Sequence, residues 1–559
     1  MTRQRFLITI LLVFAVLASE TAATGDFSYD VQYYSVYIKN ITLNAAQTLD
    51  KQGLTVEWAH DDKAMFYVNA EQEELLRSLG YIPLRTEVDE PLIPYPTLTE
   101  IYDSIDSVLT AHPDICRGVT IGTSVQGRPI RAVVVSDNPA TEEIEPELRI
   151  HGGIHGNEPA ASTTTLHYLE VLTDEYLTSP MCEYIVNNTE TWIVPVLNPD
   201  GYVADNRYNA NGVDLNRNLS YMWVPWSTHG PYPFSEPETA ALRDITMQSW
   251  PEIENFINPF TAGLSLHTGG NCFNSPWNYT QNPLPEDVSL MYVQGDDYAN
   301  SPGIIAFFGS GGYLVYIPGS SWYPTNGDVN DWSYGECGTI DHTIEVYELH
   351  QYPDWPALSN AHYMAILSFF TNSTYGIWGT VTNNLGAPLD AQIVIGTTDL
   401  YDSTPLRFCR TDVTLGDYHK TLLPGTYDVQ VIAEGFLPET VTDVSVGSEE
   451  RVEVSFVLDM LGIEEGETGG QSLLGNLSVF PNPVFNSCEI RLPVTGVDGT
   501  VNIYSLTGHL VYRLDVSSRV TSIDWDCRGE NRTKVPPGVY IVKFSSGGLS
   551  MTERFIINR

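Results

Sequence analysis

The chain has 559 residues, room for about four domains at roughly 150 residues each. Lys and Arg number 27 against 70 Asp and Glu, a formal net charge of −43, yet only 17% of residues are charged and 11% are aromatic. That balance describes folded domains with an acidic surface, not a disordered acidic chain, and such a surface repels phosphate backbones and anionic lipid head groups. Nucleic acid is therefore not an expected partner.

Residues 1–23 read as a signal peptide. Arg3 and Arg5 precede an apolar run at 6–17, and small residues (Ala18, Ser19, Ala22, Ala23) follow. The run is shorter than the roughly 20 residues a membrane span needs, and no later segment is apolar for long enough. A soluble exported monomer with no transmembrane span is expected. Residues 24–90 alternate β-like runs with one helix-like run at 71–79, and the proline-rich 89–96 reads as a linker. Over 91–371 helix-like runs (98–111, 159–172) alternate with β-branched runs (130–136, 191–196). This predicts an α/β domain with a mixed, mostly parallel sheet flanked by helices. Period-two alternation then predicts two small all-β sandwiches, 376–460 and 476–559, joined by a Gly/Glu-rich linker at 461–475. The seven cysteines form no CxxC. Export permits disulfides, and Cys488 with Cys527 lie within one module.

His-x-x-Glu, a metal-ligand spacing, occurs at His155/Glu158, His167/Glu170 and His342/Glu345. With 12 His in the chain, chance alone supplies about one such match, so context must separate them. His167/Glu170 sits among apolar residues of a helix-like run and reads as an ordinary helix pair. His342 and Glu345 lie in an extended run, where positions three apart face opposite sides. His155/Glu158 differs: "ELRIHGGIHGNEPA" passes from a strand through a Gly-rich loop into a Pro-started helix, the carboxyl edge where open α/β sheets carry their sites. A catalytic zinc takes three protein ligands and keeps an open position. His267, ending the strand "AGLSLH" before two glycines, is the third candidate.

These residues, with "NPDGY" (198–202), "RYNANGVDLNRN" (207–218), "SLH" (265–267) and "DWSY" (331–334), resemble the successive motifs of the zinc metallocarboxypeptidases, in the family's order. The resemblance implies one Zn2+ on His155, Glu158 and His267, with Asp214 orienting a ligand imidazole. It implies that Glu345 moves protons between the attacking water and the leaving amine. Glu348, in "YEL", is the rival, and in an extended run only one of the two can face the metal. Arg207 matches the arginine that stabilises the oxyanion. Asn216 and Arg217 match the pair that binds the substrate's free α-carboxylate, and Tyr323 the tyrosine that closes over it. Asn330 falls at the family's pocket-floor position, and Asp328 could add negative charge there, which together suggest mixed or neutral specificity. Asn157 departs from the arginine of the pancreatic-type enzymes and looks more like the regulatory or bacterial members.

Residues 24–90 lie where family members carry an activation segment, and are either that or a permanent accessory domain. The 376–460 module resembles the transthyretin-like module of regulatory carboxypeptidases. The last module resembles the type IX (Por) secretion sorting domains, which implies the type IX machinery as a partner and export through the periplasm to the cell surface or medium. The implied function is removal of C-terminal residues from peptides and proteins. A zinc amidase acting on cell-wall peptides and an inactive surface peptide-binding protein are the alternatives.

Overall fold

Pairing between strands far apart in the sequence builds the centre of the main sheet, as seen in a computed structural model of the chain. It describes residues 29–86, 91–226, 228–247, 256–397, 405–460 and, with short breaks, 477–557. The expected signal peptide and the 461–475 linker lie outside the described residues. The chain divides into two compact units, Met1–Leu458 and Asp459–Arg559.

The first unit opens with a four-stranded antiparallel sheet of β1 (Tyr33–Lys39), β2 (Val56–His60), β3 (Lys63–Asn69) and β4 (Leu84–Arg85), in the order β2-β3-β1-β4. Helices α1 (Leu43–Asp50) and α2 (Ala70–Ser78) pack on it. The sequence reading has only the second of these. In α1, Thr42 accepts a hydrogen bond from the Ala45 N–H, and only Ala46 and Leu49 are buried, so its apolar stripe is too short to stand out.

Helix α3 (Leu98–Ala111) spans the residues its sequence predicts, because Thr97 and Glu100 form a reciprocal capping box at its start. The main sheet contains β5 (Cys116–Thr123), β6 (Pro129–Val135), β7 (Glu147–His151), β8 (Glu190–Val194), β9 (Ala262–His267), β10 (Cys272–Asn274), β11 (Leu314–Tyr316) and β12 (Ile340–Glu345). Its order is β11-β10-β12-β9-β7-β8-β6-β5. The central run β12-β9-β7-β8 is parallel, and antiparallel pairs flank it. Alternate residues of β6 point to opposite cores: Val133 and Val135 pack towards α4 (Pro159–Asp174) and α5 (Trp355–Ser373), Ala132 and Val134 towards Leu197, Leu242 and Trp332. Both faces are thus covered, so β7, β8, β9 and β12 are buried throughout. Each apolar side chain buried this way contributes about 1.5–3 kcal/mol.

A sandwich completes the first unit. One sheet has β13 (Gly376–Asn383) between β16 (Asp417–Thr421) and β19 (Arg451–Glu453), with β20 (Phe456–Leu458) also on β13. The other runs β15 (Cys409–Arg410), β14 (Ala391–Thr397), β17 (Gly425–Ala433), β18 (Glu439–Val446). It docks on the main sheet's domain through a buried Lys420–Asp287 ion pair at 2.9 Å and a hydrogen bond from the Val413 N–H to Phe256 O. The second unit is an antiparallel three-stranded sheet and an antiparallel four-stranded sheet around Trp525, Phe555 and Val542. Cys488 and Cys527 share that core, with Cys488 a free thiol, so the disulfide that their place in one exported module suggests is not formed. Among the described residues no helix is long and apolar enough to cross a membrane.

Candidate active site

Strands β7, β9 and β12 run the same way, so their carboxyl ends share one edge of the sheet. His267 ends β9 and Glu345 ends β12, paired in register; His155 lies in the loop after β7, and Glu158 caps α4. Gly156 lets that loop meet the helix that follows Asn198: a Cβ there would lie 1.9 Å from the Gly201 carbonyl carbon. His155, Glu158 and His267 each offer a donor atom within 4.8 Å of the others, and all three are buried, so the group could hold a metal ion. The Nδ1 of His155 is 2.7 Å from Glu158 Oε1, and that of His267 is 3.1 Å from Glu158 Oε2. Burial disfavours the Glu158 charge, but His155 and His267 outweigh it and hold its pKa well below the usual range.

The surrounding side chains orient these donors. Asp214 Oδ1 is 3.0 Å from His155 Nε2, and its Oδ2 accepts from Arg207 Nε at 2.9 Å. Burial opposes the Asp214 carboxylate, yet Arg207 and His155 keep it ionised. The Arg207 guanidinium reaches on to lie 3.6 Å from Glu158. Burial, then the Glu158 carboxylate, push the Glu345 pKa well above the carboxylate range, and Glu345 Oε2 is buried with no hydrogen-bond partner. The pocket these residues line also takes in Asn216, Arg217, Tyr323 and Asp328. Asn216 Oδ1 accepts from the Val329 N–H, turning its amide nitrogen towards His267 Nε2 at 3.3 Å. Arg217 donates to the Asn216 carbonyl, and among the described residues no carboxylate lies within 4.0 Å of its guanidinium.

Most other sequence candidates are engaged in structural contacts, Asp328 although it lines the pocket. Asp328 caps the helix Val329–Trp332, with Oδ1 taken by the Asp331 N–H and Asn278 and Oδ2 by Thr325. Asn330 is not among the lining residues; it bonds Thr343 and the Asn274 carbonyl. Strand β12 stops at Glu345, and Glu348 is exposed in the segment beyond it. His342 hydrogen-bonds Gln294 beside Phe273, and His167 packs edge-on against Tyr363.

Glu57 and the flanking His350 escape sequence reasoning. Glu57, on β2 of the N-terminal sheet, enters the pocket, 4.0 Å from Arg207 and 2.8 Å from His350. Burial works against the Glu57 carboxylate, but His350 and then Arg207 hold its pKa below the usual value. Tyr323 packs within the N-terminal module's own core, Tyr208 bonds Thr55 at 2.6 Å, and Tyr67 accepts from the Arg207 N–H. Nothing in "TVEWAH" marks Glu57, since only the docking of one module on another brings it to the site.

Residues 101–354 match the zinc carboxypeptidase family profile, and 478–558 match that of a secretion system C-terminal sorting domain. Carboxypeptidase SOL1 of Arabidopsis thaliana is 30% identical over 364 residues, 62% of this chain and 68% of that one. Carboxypeptidase D of Mus musculus is 28% identical over 378 residues, 62% of this chain but only 26% of that much longer protein. Among solved structures, carboxypeptidase A from Helicoverpa armigera superposes with a TM-score of 0.51 at 18% identity, over 61% of this chain and 97% of that one, a likeness of fold. The chain belongs to the zinc carboxypeptidase family of metal-dependent hydrolases and carries a secretion sorting domain at its C-terminal end.

Proposed function

We propose that the chain removes C-terminal residues from peptides using one zinc ion on His155, Glu158 and His267. The observation that carries this reading is one pocket holding both a buried His-Glu-His donor set and the guanidinium of Arg217, which has no carboxylate within 4.0 Å among the described residues. The donor set suits zinc: two imidazoles and a carboxylate, with the far nitrogen of His155 held by Asp214, as ligating histidines require. Zinc bound there would polarise the scissile carbonyl and make water acidic. Arg217 and Asn216 bind the substrate's α-carboxylate and place the last peptide bond at the edge of the sheet. Glu345 takes the proton of the attacking water and passes it to the leaving amine, a task its unpartnered Oε2 and raised affinity for a proton suit. Arg207, fixed by Asp214, offers its charge to the developing oxyanion.

In this reading, 24–90 is an inhibitory segment, 91–371 the catalytic domain and 376–460 an accessory sandwich. Glu57 occupies the pocket beside Arg207, and the module packs over Tyr323. The 476–559 module directs export by the type IX machinery to the surface or medium. The test is zinc content and hydrolysis of a blocked dipeptide by the chain cleaved near 89–96. One zinc per chain, with activity lost to a chelator and restored by zinc, supports the proposal; metal-independent hydrolysis, or no hydrolysis by the zinc-loaded cleaved chain, refutes it.

A further inference from the structure

Away from the pocket, the junction between the main sheet and the sandwich gathers carboxylates from three distant segments. Glu142 lies in the loop before β7, Glu147 is the first residue of β7, and Asp412 follows β15. They bring carboxylate oxygens within 4.8 Å of one another. Asp412 is held in place: its Oδ1 accepts from the N–H groups of Thr414, Leu415 and Gly416. Its Oδ2 and the Oε1 of Glu147 are buried with no hydrogen-bond partner, on residues 0% and 1% exposed. Asp417 Oδ1, at the start of β16, is a further buried oxygen without a partner. Among the described residues, no Lys or Arg nitrogen lies within 4.0 Å of Glu142, Glu147 or Asp412.

Buried like charges of this kind are tolerated only when a proton or a cation neutralises them. The geometry points to a Ca2+ site on Glu142, Glu147 and Asp412 that ties the sandwich to the catalytic domain. The donors are all hard oxygens, which select calcium or magnesium over zinc. Oxygens 2.3–2.6 Å from a calcium ion stand up to about 5 Å apart across it, which accommodates the observed spread. Ligands drawn from separate loops and a strand edge suit calcium's irregular shell better than magnesium's strict octahedron. Burial and the neighbouring carboxylates Glu190, Asp412 and Asp417 push the Glu142 pKa up to about 8, consistent with charge that lacks a counter-ion.

The test uses the full chain, stripped with a chelator, reloaded with one equivalent of zinc and titrated with CaCl2 by calorimetry. One equivalent of Ca2+ is expected to bind with a Kd below about 1 mM, as extracellular calcium sites do, and to raise Tm. Asp412→Asn should weaken binding at least tenfold. Should that variant fold poorly, Glu142→Gln, on a half-buried loop residue, carries the same expectation. No saturable Ca2+ binding, or binding that Glu142→Gln leaves unchanged, overturns the proposal. So does a rise in Tm on Glu142→Gln with no response to Ca2+, the signature of carboxyls that merely share protons.

Discussion

The perturbation with the sharpest consequence is Glu57→Gln in the uncut chain. The Glu57 carboxylate stands 4.0 Å from the Arg207 guanidinium and 2.8 Å from His350, with the Glu57 and Arg207 side chains buried and that of His350 16% exposed. At an effective dielectric near 20, unit charges 4 Å apart attract by about 4 kcal/mol, close to the roughly 3–5 kcal/mol measured when one partner of a buried pair is removed. At about 1.4 kcal/mol per decade, that is up to about a thousandfold in the ratio of closed to open segment. The contacts of Thr55 with Tyr208 and of Tyr67 with the Arg207 N–H remain in the variant. The expected gain in kcat/KM of the uncut chain is therefore roughly tenfold to a thousandfold. The assay compares uncut and cleaved forms of both proteins on one blocked dipeptide. Equal activity of uncut and cleaved wild type, or no gain from Glu57→Gln, would refute the shielding role.

Glu345→Gln should lower kcat by roughly 10²–10⁴, the usual worth of a positioned proton carrier, with KM nearly unchanged, whereas the exposed Glu348→Gln should leave both alone. Arg217→Ala removes a charge-assisted contact worth about 1.5–3 kcal/mol; kcat/KM on free-acid substrates should fall by about one to two decades, read from initial rates. Stability of the calcium-free chain should fall as pH rises. The pKa values of Glu145 and Glu142 are raised to about 7 and about 8 by burial and by neighbouring carboxylates. A carboxyl with a raised folded pKa contributes stability that is fully present below its ordinary value of 4.5 and is lost as pH rises from there through the raised value. Glu190, Asp412 and Asp417 face Glu142, with His419 bonded to Asp417. Tm in chelator should drop across this window, and saturating CaCl2 should flatten it; a pH-independent Tm in chelator would contradict the assignment.

What the sequence revealed and what it hid have one physical basis. Helix α3 was legible because a local capping box starts it, and the ligand loop because glycines and a proline mark the passage from β7 into α4. His155, Glu158, His267 and Glu345 converge because parallel strands end at one edge, a consequence of fold class that periodicity can anticipate. Asn330 stood one residue before a motif residue, yet the short helix capped by Asp328 turns it away from the pocket lining. Glu57, His350 and the Glu142–Glu147–Asp412 cluster depend on modules docking on one another, for which no local pattern exists.

The most direct test of the account is the ratio of hydrolysis rates for one blocked dipeptide with a free or an amidated C-terminus, by the zinc-loaded, cleaved chain. A guanidinium at Arg217 that binds a carboxylate predicts rapid cleavage of the acid and at least tenfold slower cleavage of the amide, a gap that Arg217→Ala closes. Equal rates on the two substrates would contradict an exopeptidase that reads the substrate's terminal carboxylate.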